Sequence, residues 1–215
     1  MATLQSQAGA LPSGRQTAGT PVNPGGVFGE ALFSELNPAY YSLLKNNKVF
    51  SLGALGVNPT AFTGGAAGTP LIGLYNPAAS GVDLVLLQAR LGIRSTGSAA
   101  AATMDFNFFA ANQGGVAVTG TQTQAKNMYS QANTGSAAYG MVNVANTAAL
   151  ASSLVAPSVS LGAVAASAAL NVGLFVDDIK GLLVVPPGGY LAYGASLGLT
   201  GGSLDASLIW AELPA

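Results

Sequence analysis

Short apolar segments separated by turn residues follow one another from about residue 49 to the end of the chain. The strand candidates are "KVFSLGAL", "LIGLYN", "VDLVLLQARLGI", "MDFNFFAA", "GGVAVTGTQTQ", "AAYGMVNVAN", "LNVGLFVDD", "KGLLVVPPGGYLAYGAS" and "SLDASLIWAEL". Their lengths and their Gly, Pro and Asn turns are typical of antiparallel strands. No helical pattern lies between them, so the sequence predicts an all-β fold, an antiparallel β-sandwich of about eight strands.

The alternation of apolar and polar residues predicts which side chains share a face in two of these strands. In "SLDASLIWAEL" one face is predicted to carry Leu204, Ala206, Leu208 and Trp210, and the other Ser203, Asp205 and Ser207. In "MDFNFFAA" the predicted inner face holds Met104, Phe106 and Phe108, opposite Asp105, Asn107 and Phe109. The apolar face of each strand is expected to form the core.

The first 48 residues differ from this pattern, and we expect them to form an N-terminal arm and a short helix before a sandwich domain over 49–215. Residues 1–27 are mostly small or polar, with Arg15 as the one charge, which is typical of a segment that does not order alone. They are either a disordered tail or an arm that orders against a neighbouring subunit. The segment 28–47 predicts the helix, with Asn37 as its cap and Pro38 in its first turn.

This N-terminal region supplies the predicted partner interface. Its aromatic and aliphatic side chains either pack on their own domain or dock on a partner. The candidate contact residues are Arg15, Phe28, Phe33, Tyr40, Tyr41 and Leu44.

The stretch 153–176 has no charged residue and is long enough to span a bilayer, which takes about 20 residues. Five Ser or Asn residues, Pro157 and Gly162 interrupt it, and it lacks closely flanking basic residues on its N-terminal side. We therefore expect strands with an Ala-rich connection and no membrane span. The N-terminus also lacks the pattern of a secretory signal.

Charge is scarce, at 7% of residues against an average of about 25%. The net charge of −1 offers no field for nucleic acid, and seven scattered Lys and Arg residues form no basic patch. Few surface charges favour association. The composition thus indicates a protein that buries surface against copies of itself or a partner.

Catalytic and metal-binding patterns are missing from the sequence, which contains neither Cys nor His. We expect no enzymatic activity, no cofactor and no metal. The acidic pair Asp177–Asp178 is interpreted as a solvated turn before Lys180. The carboxylates of Asp83, Asp105, Asp205 and Glu212 are interpreted as solvent-facing, whereas Arg90 and Arg94 are expected to pair with local acids or bind an anion.

Tyrosines in loops can stack on sugars, so four of them keep carbohydrate binding open. Core or interface packing is the favoured role, and the four are Tyr129, Tyr139, Tyr190 and Tyr193.

Three stretches together resemble a known group of proteins. They are "TPLIGLYNPAASGVDLVLLQARLGIRSTG" at 69–97, "LFVDDIKGLLVVPPGGYLAYGAS" at 174–196 and "GGSLDASLIWAELP" at 201–214. The shared pattern is a strand ending in "LYNP", a long "VLLQ" strand, a late "PPGG" hairpin and a final strand with "WAE". It resembles virion structural proteins of tailed bacteriophages over most of 49–215.

The resemblance implies a jelly-roll sandwich and a head decoration (cement) protein that clamps neighbouring major capsid subunits. It implies self-association, with a homotrimer favoured over a dimer, and a place on the outer surface of the virion head after assembly in the host cytoplasm. The alternative is a tail or fibre protein that binds a host-surface receptor or glycan.

Overall fold

The computed structural model describes residues 6–7, 21–22, 40–58, 61–62, 70–95, 104–112, 123–132, 135–142, 153–161, 174–196 and 202–215. The chain divides into two compact units, Met1–Lys48 and Val49–Ala215. In the first unit, strand β1 (Ser6–Gln7) pairs antiparallel with strand β2 (Pro21–Val22).

Helix α1 (Tyr41–Lys45) completes the described part of the first unit. Its N-cap is Tyr40, which has a left-handed φ of 65° and makes no side-chain cap hydrogen bond. The prediction of an Asn37 cap and Pro38 in the first turn is therefore wrong for this helix, and both residues lie outside the described ranges. The helix ends at two asparagines, of which Asn47 has a φ of 56°, a conformation that asparagine tolerates better than most residues.

The second unit is built from strands alone among its described residues. Their bounds are β3 (Val49–Val57), β4 (Ile72–Tyr75), β5 (Val82–Ser95), β6 (Met104–Asn112), β7 (Lys126–Asn127), β8 (Tyr139–Val142), β9 (Ser153–Leu161), β10 (Leu174–Val185), β11 (Gly189–Ala195) and β12 (Ser203–Pro214). The described part of this unit thus contains ten strands rather than about eight. β8 lies within the predicted strand "AAYGMVNVAN", whereas the two-residue β7 was not predicted.

These strands form two five-stranded antiparallel sheets. Sheet I has the order β10-β5-β12-β3-β7, and sheet II has the order β8-β4-β11-β6-β9. The pairing is nested, because β3 pairs with β12, β4 with β11, β5 with β10 and β6 with β9. Consecutive strands from β3 to β6 and from β9 to β12 alternate between the sheets. The prediction of an all-β fold with antiparallel sheets is confirmed.

The core lies between the two sheets and contains the side chains that the alternation assigned to it. Trp210 and Leu208 of β12 are fully buried, as are Phe106 and Phe108 of β6. The Trp210 ring stacks on Phe50, with the ring centroids 6.3 Å apart. The face predictions for these side chains of β6 and β12 are therefore confirmed.

Sheet II also buries apolar side chains on its outward face. This outer cluster consists of Phe62, Tyr75, Phe109, Met141, Tyr190 and Ala192. The rings of Phe62 and Phe109 meet edge to face, with centroids 4.9 Å apart. Glycine is needed beneath them, since a Cβ on Gly194 would lie 2.4 Å from Phe62 Cδ1. Phe109 was assigned to the polar face, and it is buried because this second cluster covers that face.

The "PPGG" segment at 186–189 makes a tight turn but not the predicted hairpin. The backbone N–H of Gly189 donates to the Pro186 carbonyl at 2.8 Å, and Gly188 takes a left-handed φ of 79°. The flanking strands do not pair with each other, because β10 pairs with β5 and β11 pairs with β4 and β6. The turn therefore carries the chain from sheet I to sheet II.

Strand β10 is a single strand where the sequence predicted two strands and a solvated turn. Lys180 and Gly181 have φ values of 54° and 85°, and the pairing with β5 shifts register between Asp178 and Leu183. Asp177 and Asp178 thus lie within the strand, on opposite faces. The interpretation of this acidic pair as a turn is wrong, because a bulge absorbs the left-handed residues without ending the strand.

The uncharged stretch at 153–176 contains β9 and the start of β10, as expected for strands. The predicted Ala-rich connection, 162–173, lies outside the described residues. Among the helices of the described ranges, none is long and apolar enough to cross a membrane.

Candidate interaction surface

The six predicted interface residues are only partly within the described ranges. Arg15, Phe28 and Phe33 lie outside them. Tyr40, Tyr41 and Leu44 are half-buried at and within α1. The Lys45 ammonium lies 5.6 Å from the centroid of the Tyr41 ring, a cation–π contact within the helix.

The four candidate tyrosines divide into two pairs. Tyr190 and Tyr193 are each 1% exposed, so neither ring can stack on a ligand from solution. Their side chains lie on opposite faces of β11, with Tyr193 in the core and Tyr190 in the outer cluster. Tyr129 and Tyr139 are 50% and 42% exposed. Only this second pair retains a surface suitable for stacking.

A polar chain leads from the buried Tyr193 hydroxyl to the adjoining sheet. Ser158 Oγ donates to Asp177 Oδ2 at 2.6 Å and lies 3.4 Å from the Tyr193 hydroxyl. Burial, together with the negative charge of Asp177, raises the pKa of Tyr193 to about 12. The chain links β9 and β11 of sheet II to β10 of sheet I.

The arginine and aspartate side chains on sheet I make local contacts. Arg94 Nη2 lies 3.2 Å from Asp205 Oδ2, and Asp205 Oδ1 accepts the Gly56 backbone N–H at 2.7 Å. Arg90 Nε donates to Gln88 Oε1 at 2.6 Å. The expected pairing of an arginine with a local acid is thus confirmed for Arg94. The described residues contain no group of three acidic side chains suited to a metal ion.

Glu212 differs from the solvent-facing carboxylate that the sequence predicted, since it is 4% exposed. Ser136 Oγ donates to its Oε1 at 2.6 Å, and the Ala137 N–H donates to the carboxylate at 3.0 Å. Trp210 Nε1 adds a longer hydrogen bond of 3.4 Å. Because these donors compensate for the loss of water, the buried carboxylate fastens the 135–138 segment to β12. The solvent-facing interpretation of Glu212 is wrong.

Asn76 joins two of the sequence motifs, "LYNP" and "PPGG". Its Nδ2 donates to the carbonyls of Val82 at 2.7 Å and Val185 at 2.9 Å. Its backbone N–H donates to Gly189 O at 2.9 Å, and its carbonyl accepts the Gly188 N–H at 2.8 Å. The asparagine is fully buried, so the two motifs serve as a structural joint where the chain changes sheets.

The outward face of β10 is the principal exposed apolar feature of the described residues. Its side chains, termed here the β10 stripe, are Leu174, Val176, Asp178, Lys180, Leu182 and Val184. Their four aliphatic members are 68%, 50%, 87% and 49% exposed, in chain order. Asp178 and Lys180 form an ion pair of 3.5 Å in the middle of the stripe. Exposed aliphatic side chains grouped on one face, here on either side of an ion pair, mark a candidate interaction surface.

Sequence reasoning did not find the β10 stripe. The segment "LFVDDIKGLLVV" is apolar at both odd and even positions, so alternation cannot separate a buried face from an exposed one. What reveals the stripe is the burial of the structure, in which Ile179 and Val185 lie in the core while the side chains of the stripe are exposed.

Comparison with known proteins adds no assignment. No protein-family model matches the sequence, and no curated protein matches it.

Proposed function

We propose that this chain is a non-enzymatic structural protein with a jelly-roll sandwich. We propose that it decorates a bacteriophage head by clamping neighbouring major capsid subunits. The observation that carries the proposal is the nested pairing of eight strands, β3 to β6 and β9 to β12. The orders β10-β5-β12-β3 and β4-β11-β6-β9 agree with two interlocked Greek keys rolled into a sandwich. Jelly rolls are recurrent in viral capsid proteins, and also in lectins and cupins.

The surface supports a binding role. A clamp stabilises an assembly by burying surface across subunit boundaries, at roughly 25 cal/mol per Å² of apolar area before the costs of association. The β10 stripe supplies exposed aliphatic side chains, and the low charge of the chain limits the desolvation cost of contact. The phage-like motifs lie on adjacent strands of the fold, since β5 pairs with both β10 and β12.

The test of this function is binding to capsids that lack the protein. Purified chain is added to such capsids, and sedimentation measures the number of bound copies. The proposal predicts saturable binding at a fixed ratio to the major capsid protein and a higher temperature of DNA release. Capsids that bind no chain, or bind it without gaining stability, would contradict the clamp.

The N-terminal arm can be tested in the same assay. If residues 1–27 extend the footprint onto a neighbouring subunit, their deletion should weaken binding while leaving the 49–215 unit folded. Unchanged affinity of the truncated chain would show that the arm is not the clamp.

Receptor binding by a tail or fibre protein is the second candidate, and the exposed tyrosines favour it. Tyr139 lies beside Tyr75, with ring centroids 6.2 Å apart, and 42% of it is exposed. A glycan that binds this chain and is lost in Tyr139→Ala would support this candidate over the clamp.

A further inference from the structure

The two sides of the sandwich, where the sheets end, are closed in different ways. β7 and β8 stand at one end of the orders of sheets I and II, and β10 and β9 stand at the other. We term the first the strap side, because the chain crosses it from Thr123, beside β8, to β7 and later returns to β8. We term the second the latch side, because the hydrogen bond from Ser158 to Asp177 crosses it.

The strap side is held by backbone hydrogen bonds and a buried carboxylate. The Thr123 N–H donates to the Gly140 carbonyl at 2.7 Å, and β7 pairs with β3. The buried Glu212 carboxylate accepts the Ala137 N–H at 3.0 Å. Packing is close, since a Cβ on Gly140 would lie 2.5 Å from Leu52 Cδ2 of the facing sheet. Separating the sheets on this side would require several of these interactions to break together.

The latch side is held by contacts that are partly exposed. Among the described strands no backbone ladder crosses it, because β9 pairs with β6 and β10 pairs with β5. Ser158 and Asp177 are half-buried, and Ser158 Oγ lies 2.6 Å from Asp177 Oδ2. Ala156 and Phe175, on the same two strands, pack against the core and are only partly buried. Water therefore has readier access to the contacts of this side than to Glu212 on the strap side.

A β-bulge places the Ser158 hydroxyl at this contact. The pairing of β9 with β6 passes from Val159 to Pro157, so Ser158 is an extra residue with no partner across the ladder. A bulge of this kind re-aims the side chain of the extra residue. The hydroxyl of Ser158 reaches Asp177 of the other sheet and also lies 3.4 Å from the buried Tyr193 hydroxyl.

We propose that the two sheets separate first along the latch side, and that the hydrogen bond from Ser158 to Asp177 controls this opening. Local opening of this kind begins where contacts are fewest and most exposed. The inference stands apart from the proposed capsid role, since it concerns the isolated chain. Val176 and Asp178 of the β10 stripe flank Asp177, so the latch also holds that part of the exposed surface in place.

Thiol labelling of two buried positions measures opening on each side. The chain contains no cysteine, so an introduced thiol is the single reactive one. Ala89→Cys reports the latch side, because Ala89 is buried in the core and pairs with Asp177 across the ladder. Ala125→Cys, also buried in the core, reports the strap side next to β7. After correction for reactivity in the unfolded chain, the thiol at position 89 should be labelled about tenfold faster or more.

Removing the latch hydroxyl should affect one side only. Ser158→Ala should raise labelling of the Ala89→Cys thiol about tenfold, through the lost hydrogen bond to a charged group, and that of Ala125→Cys less than about twofold. Ser158→Thr keeps a hydroxyl and should restore slow labelling. Asp177→Asn should add little to Ser158→Ala, since both substitutions weaken the same bond.

Native-state hydrogen exchange supplies a second measurement that needs no cysteine. Ser158→Ala should accelerate exchange in β9 and β10 while leaving β8 unchanged. Urea unfolding verifies that each variant is folded.

Faster labelling at position 89 that responds to Ser158→Ala and recovers in Ser158→Thr supports the proposal. Equal labelling of the two positions, an equal rise at both in Ser158→Ala, or a latch side indifferent to that substitution would overturn it. Because no capsid takes part, such a failure leaves the decoration proposal standing. Conversely, failure of capsid binding leaves the latch standing.

Discussion

The outward faces of the two sheets differ in how far their apolar side chains are buried. On sheet II the side chains of Phe62 and Tyr190 cover the face, and the glycines beneath them let the rings lie against the backbone. On sheet I the strand β10 exposes Leu174 and Leu182 by 68% and 87%. The apolar residues on the outward face of sheet II are thus covered by another segment of the chain. Those on the outward face of sheet I are left available for a partner.

This difference shows that the apolar character of a residue does not by itself predict that the residue lies in the core. Burial on sheet II depends on a distant segment, since the Phe62 N–H donates to the Ala195 carbonyl at 2.8 Å and holds the ring over β11. The four exposed aliphatic side chains of β10 have no such covering segment among the described residues and form a candidate interface. Substitutions on the two faces should therefore have very different effects on folding stability.

The largest expected difference comes from truncating one side chain on each face. Phe62→Ala should lower the free energy of unfolding by about 3–5 kcal/mol, because it leaves a cavity in the outer cluster. Leu182→Ala, on the open face, should change it by less than about 0.5 kcal/mol under monomeric conditions. Urea unfolding of both variants measures the contrast, and equal losses would show that the two faces are not distinct.

Raising the pH should destabilise the fold through Tyr193, whose side chain lies in the core and not on the outward face of either sheet. Its pKa is about 12 in the folded chain against an ordinary value of about 10, so the folded state holds the proton more tightly. Stability is full below pH of about 10 and falls as the pH rises towards 12, by up to about 2–3 kcal/mol. Tyr193→Phe should remove this part of the loss.

The measurement for this prediction is urea unfolding at a series of alkaline pH values. The original chain and Tyr193→Phe should diverge only above pH of about 10. Parallel curves for the two proteins would contradict the assignment of a buried, proton-retaining hydroxyl.

Adding one methyl group to Gly194 tests how closely Phe62 packs on sheet II. Gly194→Ala should destabilise the fold by about 1–3 kcal/mol, since its Cβ would overlap Phe62. Gly53→Ala on sheet I has open space around the new Cβ and should not destabilise. Thermal unfolding of the two variants measures this difference in stability. A Gly194→Ala variant as stable as the original chain would mean that Phe62 does not pack closely on the backbone.

The smallest expected effect contrasts a buried carboxylate with an exposed one. Glu212→Gln should cost about 1 kcal/mol, because a neutral amide accepts the Ala137 and Ser136 hydrogen bonds less strongly than a carboxylate. Asp178→Asn loses only an exposed ion pair and should be nearly neutral. Unfolding by urea compares them, and a neutral Glu212→Gln would assign that carboxylate no structural role.

The sequence predicted features that local alternation controls. The inward faces of β6 and β12 follow from period-two patterning, and continuing that pattern beyond Trp210 would have placed Glu212 inside as well. It could not predict which strands pair, so the "PPGG" turn was taken for a hairpin. It also could not separate the faces of β10, because both are apolar, nor show that Phe62 covers Tyr190 from far along the chain.

The most direct test of the central proposal is cryo-electron microscopy of virions that contain this chain. The decoration proposal predicts density for the β-sandwich at regular positions over the outer surface of the head, in contact with neighbouring capsid subunits. Density confined to the tail would contradict it, and would direct attention to receptor binding through Tyr129 and Tyr139.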